Sequence, residues 1–332
     1  MSATRERTEL SEQAATERRL MERYGREVSL LLFLVLLTTI IGVRNPRFAG
    51  AENLRDILLN NAYVAIMAVG TTMIIITGNI DISIGSMLAA CAIVAGRSAT
   101  AGCHPAVVIA LTLGCGAAMG AVNGFLVTVV GIPAIIATLG TLSIFRGLVI
   151  IIARGRTIVN LPEWFMQIGR GDLAGVPFPV IIAVIVAVAA SFVMSHTAFG
   201  REVYASGDNK HAARLAGVRV RQRVFAVFVI NGLLVGLATL CYATRFGQIK
   251  TTPVAGQELL VITAVVVGGT DIFGGSGSIL GSMIGVLLLG TIGTGLIFLK
   301  VSSFWERTAQ GCLVVGAVIL DALRRRKRER GF

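Results

Sequence analysis

One polar stretch, residues 199–223, reads F-G-R-E-V-Y-A-S-G-D-N-K-H-A-A-R-L-A-G-V-R-V-R-Q-R and interrupts an otherwise apolar chain. Apolar runs flank it at residues 178–194 and 224–241. Each run approaches the roughly 20 residues that a transmembrane helix needs. The stretch holds six basic residues against two acidic ones. Because short loops rich in Lys and Arg stay on the cytoplasmic side of a membrane, we predict a cytoplasmic loop between two spans.

The middle of this loop, residues 208–215, is predicted to form a short helix. Asp208 or Asn209 can cap its start, and Gly217 can end it in a left-handed backbone conformation. A short helix on the cytoplasmic face of a membrane domain is a suitable docking site for a partner protein. The alternative is a solvated basic loop that only obeys the positive-inside rule.

Composition places the chain among integral membrane proteins. Of its 332 residues, 55% are hydrophobic and 14% charged, with a mean hydropathy of +0.80, which is not the balance of a soluble domain. The net charge of +12 lies in tails and loops, which indicates topology and contact with anionic lipid rather than nucleic acid. Its 39 glycines suit closely packed membrane helices. The five cysteines and three histidines lack zinc or disulfide spacing.

Apolar length predicts about ten spans, and therefore an all-α, polytopic integral membrane helix bundle. The spans lie near residues 28–43, 57–77, 82–95, 105–130, 133–153, 178–194, 224–241, 259–267, 279–299 and 304–323. An even number places both termini on one side, and the terminal run R-R-R-K-R-E-R indicates that this side is cytoplasmic. Roughly eight or nine spans with a re-entrant segment fit as well.

This topology divides the chain into three parts. A cytoplasmic N-terminal tail (1–27) and a basic cytoplasmic C-terminal tail (324–332) enclose a transmembrane domain (28–323). Polar segments at residues 44–56, 154–176 and 242–258 are then predicted to face outward.

Two polar breaks separate apolar helices without an ordinary loop. In the first, residues 78–86, Asp81 and Ser83 either cap the helix that follows or line a transport path. A charged Asp at the bilayer centre costs about 2.5–3.5 kcal/mol and faces a cavity, a partner or a structural hydrogen bond. The second, residues 268–278, is rich in glycine but lacks the lysine of a phosphate loop, so it predicts a tight turn and not nucleotide binding.

Hydroxyl groups also recur inside the span near residues 133–153. Thr138, Thr141 and Phe145 share one helical face, so they can line a path for a polyhydroxylated solute. Equally, threonines in membrane helices often bond to their own backbone carbonyls. Asn123 and Asn231, each followed by glycine, are expected to make contacts between helices.

Four segments resemble the sugar-importing branch of bacterial ATP-binding cassette permeases, which includes ribose, rhamnose and autoinducer-2 permeases and is related to branched-chain amino acid permeases. They read N-I-D-I-S-I-G-S, I-P-A-I-I-A-T-L-G-T-L-S-I-F-R-G, T-A-F-G-R-E-V-Y-A-S-G-D-N-K-H-A-A-R-L-A-G-V and V-V-G-G-T-D-I-F-G-G-S-G-S-I-L-G-S. The N-I-D and T-A-F-G-R-x-x-Y-A-x-G-D-N patterns look most like the rhamnose and autoinducer-2 members. Asp271 departs from the pattern, because many relatives carry a small residue there.

The resemblance implies a transport subunit of the bacterial inner membrane, with no cofactor and no ATPase activity of its own. Its partners would be a second permease subunit, identical or homologous, cytoplasmic ATP-binding subunits and a periplasmic solute-binding protein. The loop at residues 199–223 then becomes a coupling loop that docks on the ATPase. The coupling residues expected from it are Gly207, Asp208, Asn209, Ala212, Ala213, Arg214, Leu215 and Gly217.

The predicted substrate path consists of polar and aromatic residues from the first break and the threonine-bearing helix: Asn79, Asp81, Ser83, Thr138, Thr141 and Phe145. A stand-alone secondary transporter or facilitator is the main alternative function, and it would need ion-coupling carboxylates such as Asp81 or Asp271. A membrane-embedded enzyme is disfavoured, because H-E-x-x-H, G-x-S-x-G and paired catalytic carboxylates are missing from the sequence.

Overall fold

The computed structural model describes most of the membrane domain. The described residues are 25, 27–245, 247–250, 256–302, 305, 308, 311–312, 315–316 and 319. The predicted N-terminal tail lies outside them except for residues 25 and 27, and the C-terminal tail lies wholly outside them. Most of the predicted span at residues 304–323 is outside them as well.

The chain folds as an all-α bundle with one short hairpin. Its helices are α1 (Glu27–Arg44), α2 (Ala51–Ile76), α3 (Ile84–Thr100), α4 (Pro105–Phe125), α5 (Ala134–Ala153), α6 (Glu163–Arg170), α7 (Phe178–His196), α8 (Ala198–Asp208), α9 (Lys210–Leu215), α10 (Val220–Ala243), α11 (Gln257–Val267) and α12 (Ile279–Phe298). A 3-10 turn (Pro46–Ala49) precedes α2, and a π-helical turn (Leu126–Val130) extends α4. Strands β1 (Asp172–Leu173) and β2 (Val176–Pro177) pair antiparallel.

Seven helices in the described part of the chain are long and apolar enough to cross a membrane, namely α1, α2, α4 with its π turn, α5, α7, α10 and α12. Helix α3 has 17 residues and α11 has 11. At 1.5 Å per residue they are about 25 and 16 Å long, shorter than a hydrocarbon core of about 30 Å. Two of the ten predicted spans are therefore partial, and the full number and the side of the termini stay predictions.

Helix α2 lies at the centre of the bundle. Apolar residues occupy all of its faces from Ala62 onward, so it is buried against α7, α10, α11 and α12. Helices α4 and α10 cross most closely, at Gly116 and Gly232. A Cβ on either glycine would collide with the backbone carbonyl of the other. Glycine at both positions permits this approach, as expected for membrane helices packed through small residues.

The contacts define two ends of the bundle. At the end that we call the α9 end, Ser278 donates a hydrogen bond to Glu27 at 2.8 Å and the Gly275 amide donates to the carbonyl of Ile76 at 2.8 Å. At the opposite end, the hairpin end, Arg55 of α2 pairs with Asp172 of β1 at 3.3 Å.

Candidate functional site

The first polar break leaves the end of α2 and turns back into the bundle. Gly78 has φ +71°, a left-handed conformation that favours glycine. The Asn79 amide side chain donates to the Thr77 carbonyl at 3.1 Å and to the Thr77 hydroxyl at 2.9 Å. Asn79 therefore stabilises the turn that ends α2 and directs the chain toward Asp81.

Asp81 is fully buried and joins three helices. Its carboxylate accepts hydrogen bonds from the Ser83 amide at 2.9 Å and the Ser83 hydroxyl at 2.6 Å, which close a turn at the start of α3. It also accepts from Asn231 of α10 at 3.1 Å and, at longer range, from Asn123 of α4 at 3.4 Å. The expected contacts of both asparagines are thus observed. Asp81 closes the turn before α3 and links α3 to α4 and α10, whereas no side chain among the described residues caps the first amides of α3 itself.

Thr138 of α5 connects that helix to the same break. Its hydroxyl accepts a hydrogen bond from the Ile82 amide at 3.2 Å and lies 3.3 Å from the Ile80 carbonyl. It also donates to the carbonyl of Ala134, four residues earlier, at 2.8 Å. The Thr138 hydroxyl therefore bonds to a backbone carbonyl of its own helix, which was one of the two interpretations of the sequence. It also bonds to the first polar break.

The other two predicted residues of α5 lie on the same buried face. The Thr141 hydroxyl donates to the Thr138 carbonyl at 3.3 Å, and Phe145 packs into the main apolar core. All six predicted path residues are thus buried in the protein. They lie in the first polar break or on the face of α5 that packs against it. The opposite face of α5, with Ile136 and Ile151, is exposed.

A charged pair that sequence reasoning missed lies further along α5. Arg146 faces Glu258 in the first turn of α11, with Nη2 3.6 Å from Oε1. Glu258 was predicted to end an outer loop at residues 242–258, and this is wrong, because α11 begins at Gln257 and packs Glu258 inside the bundle. An Arg inside an apolar run was the available signal, since charges within membrane helices usually have a partner.

The predicted short helix of the coupling loop is α9, and a second helix that was not predicted, α8, precedes it. The Asn209 side chain accepts hydrogen bonds from the amides of His211 and Ala212, both at 3.0 Å, so Asn209 is the cap. Gly217 ends the motif with φ +84°, as expected. The Val218 amide donates to the Ala213 carbonyl at 3.0 Å, the bond typical of a glycine-terminated helix.

Helix α9 combines an anchored face with a free one. Ala213 is buried and fixes the helix to the bundle, whereas Ala212 and Arg214 are exposed, as is Asp208 at the end of α8. Leu215 exposes 79% of its surface. A single exposed leucine is common on protein surfaces, so its docking on a partner stays a prediction.

Helix α8 packs against the end of α2 and against the second polar break. The Tyr204 hydroxyl donates to the Gly277 carbonyl at 2.8 Å, and burial raises the pKa of this hydroxyl, which keeps it protonated. A Cβ on Gly207 would meet the carbonyl of Ile76 and lie 2.7 Å from the amide nitrogen of Gly275. The α8–α9 segment is therefore tightly packed on the end of α2 and on the loop before α12.

The second break is a turn at this same end. The Asp271 carboxylate accepts a hydrogen bond from the Phe273 amide at 2.9 Å, and the Asp271 amide donates to the Ser276 carbonyl at 3.0 Å. Asp271 therefore shapes its own turn. Within the described residues, no group of three or more His, Cys, Asp or Glu side chains is placed to hold a metal ion.

Comparisons with known proteins find relatives that match almost the whole length of the chain. The family described as "Branched-chain amino acid transport system / permease component" matches residues 53–323. The ribose import permease protein of Escherichia coli (strain K12) is 38% identical over 298 residues, covering 88% of this chain and 92% of the relative. The autoinducer 2 import system permease protein of Photorhabdus luminescens is 32% identical over 297 residues, covering 90% of each. No solved structure matches.

Proposed function

Since the chain belongs to the family of branched-chain amino acid transport system permease components, we propose that it is the membrane-spanning subunit of an ATP-binding cassette importer for a monosaccharide-like solute. The observation that carries this proposal is similarity over most of the chain to import permeases for ribose and for autoinducer 2. The seven membrane-competent helices support a location in the bacterial inner membrane.

The proposed complex contains further subunits. A second permease, identical or homologous, would complete the translocation path, and cytoplasmic ATP-binding subunits would hydrolyse ATP. A periplasmic solute-binding protein would deliver the solute, and membrane lipid would cover the exposed apolar faces, such as that of α5. Both termini and α9 would lie on the cytoplasmic side, because the basic residues concentrate there.

Coupling is proposed to pass through α9. Leu215 and Arg214 are exposed for docking on the ATPase, and Gly217 lets the chain turn away at the helix end. The packing of Gly207, in the preceding helix α8, against Ile76 supports a connection from α9 to the end of α2, next to the first polar break. A displacement of α9 during ATP hydrolysis would then reach Asp81 through the end of α2.

The six predicted path residues are proposed to act within the gating segments. Asn79, Asp81 and Ser83 hold the start of α3, and Thr138 holds α5 against it. Because these side chains are buried in the described conformation, their role in transport would be exerted when α3 and α5 move relative to each other.

Uptake into proteoliposomes tests the proposal. The chain is reconstituted with the proposed ATP-binding subunits, and labelled D-ribose and L-rhamnose are supplied with the binding protein. We expect uptake to require ATP, and a proton or sodium gradient supplied in place of ATP should not support it. Uptake by the chain alone, driven by an ion gradient, would establish the alternative, a secondary transporter or facilitator.

A further inference from the structure

Arg146 and Glu258 are an ion pair inside the bundle whose polar atoms are incompletely satisfied. The 3.6 Å separation of Arg146 Nη2 and Glu258 Oε1 exceeds the usual 2.7–3.2 Å of a hydrogen bond. Arg146 Nε and Nη2 and Glu258 Oε2 are buried without a hydrogen-bond partner among the described residues. Such groups are rare in folded proteins, and each leaves a desolvation cost that a ligand can remove.

The pair lies where three helices meet. Gly85 in the first turn of α3 faces the Glu258 carboxylate, and a Cβ there would collide with Oε2 and lie 3.3 Å from Cδ. The absence of a side chain at Gly85 therefore leaves room for the carboxylate. Helix α3 carries the Asp81 network at its start, and α5 is joined to that network through Thr138. Arg146 thus lies on one of the two helices proposed to move during transport, α5, and Glu258 of α11 packs against the other, α3.

Its exposure is uneven. The Arg146 side chain is 32% exposed and that of Glu258 only 11%. Part of the Arg146 side chain is therefore accessible, whereas its Nε and Nη2 atoms and Oε2 of Glu258 lie inside the bundle. Because these atoms are buried in the described conformation, a solute can reach them only when α3 and α5 move relative to each other.

We propose that Arg146 and Glu258 bind adjacent hydroxyl groups of a neutral, polyhydroxylated solute during translocation. This inference rests on the proposed function and assigns residues for solute recognition to it. A hydroxyl both donates and accepts, so one can donate to the unpartnered Oε2 of Glu258 while its neighbour accepts from Nε or Nη2 of Arg146. The pair is neutral overall, and a charged solute would leave one unpaired charge in a low-dielectric site.

The test compares solute specificity, which a merely structural ion pair would not change. In the reconstituted complex, uptake of D-ribose and L-rhamnose is measured for wild type, Glu258→Gln and the double variant Arg146→Met/Glu258→Leu. The double variant removes both charges together, so it leaves no unpaired buried charge that would prevent folding. We expect uptake to fall at least tenfold in each variant while the complex purifies in normal yield.

Singly deoxygenated forms of the transported sugar then identify the contact. For the analogue that lacks the contacted hydroxyl, Glu258→Gln should reduce uptake less than threefold, because that hydroxyl is already missing. Gly85→Ala adds a methyl group against the carboxylate without changing charge and should weaken uptake of the parent sugar. Arg55→Gln breaks an exposed ion pair at the hairpin end and serves as the control, with uptake within twofold of wild type.

Two results would overturn the proposal. One is uptake within twofold of wild type in the assembled double variant. The other is an equal loss for the parent sugar and every deoxygenated analogue, which means that the pair only holds helices together. If the double variant does not assemble, the comparison between the parent sugar and its deoxygenated analogues in Glu258→Gln decides alone. Uptake by the chain alone, driven by an ion gradient and independent of ATP, would instead refute the proposed function on which this inference rests.

Discussion

Replacing Asp81 with alanine measures how strongly the buried network holds α3 in the bundle. The carboxylate accepts hydrogen bonds from Asn123 of α4 and Asn231 of α10. Hydrogen bonds between membrane helices contribute about 0.6 kcal/mol on average and about 1.7 kcal/mol at most. Because the substitution removes two of them, we expect the free energy of unfolding to fall by about 1–3 kcal/mol.

The assay is an unfolding titration of the purified permease in bicelles. Asp271→Ala is the matched control, since this Asp also lies in a break between apolar helices but accepts a hydrogen bond within its own turn. Its effect should stay within about 0.5 kcal/mol, the usual range for substitutions away from buried networks. If Asp81→Ala changes stability no more than Asp271→Ala, the network does not fix α3.

The same variant tests the role of Asp81 in transport. Asp81→Ala should reduce uptake while the protein still inserts and assembles, because the position of α3 is loosened. Unchanged uptake would leave Asp81 as a local cap and would remove it from the proposed gating segments.

Three further predictions follow from the packing and the topology. Reporter fusions at both termini should read cytoplasmic, and a periplasmic signal at either terminus would refute the topology. Gly116→Leu should lower the yield of folded protein, because any Cβ there meets the Gly232 carbonyl. Gly114→Leu is the control and should keep the wild-type yield, because open space surrounds a Cβ at that position. Equal yields of the two variants would refute the close crossing of α4 and α10. Thr138→Val should lower uptake more than Thr128→Val, because the Thr128 hydroxyl donates to the Gly124 carbonyl within its own helix. Equal uptake in the two variants would mean that the bond between Thr138 and the first polar break does not contribute to transport.

Features set by neighbouring residues were predictable from the sequence. The cap at Asn209 and the left-handed Gly217 follow from short-range rules, so both ends of α9 are where the pattern indicated. The long apolar helices were likewise predictable, because each needs only about 20 apolar residues in succession.

Features that depend on distant residues were not predictable. Two interpretations of Asp81 stayed open in the sequence, because its partners Asn123 and Asn231 come from other helices. Glu258 was assigned to a loop, since the start of α11 depends on packing against α2 and α12 and not on a local cap. The short lengths of α3 and α11, by contrast, were indicated by the short apolar runs at residues 82–95 and 259–267.

The central claim is that α9 couples this permease to an ATPase, and Gly217→Asp tests it most directly. The Asp would adopt a strained backbone at φ +84° and add a negative charge to the docking face. Open space surrounds the Gly217 Cβ, so a steric clash within the chain is not involved. Gly102→Asp, with φ +79° and open space near the far end of α3, carries the same strain and charge away from α9.

The decisive measurement is solute uptake together with ATPase activity in the reconstituted complex. We expect Gly217→Asp and Arg214→Glu to remain in the membrane, yet to lose ATPase subunits on purification or to hydrolyse ATP without uptake, whereas Gly102→Asp keeps both activities. Wild-type uptake and ATPase activity in both α9 variants would contradict the claim and make residues 199–223 a solvated connector.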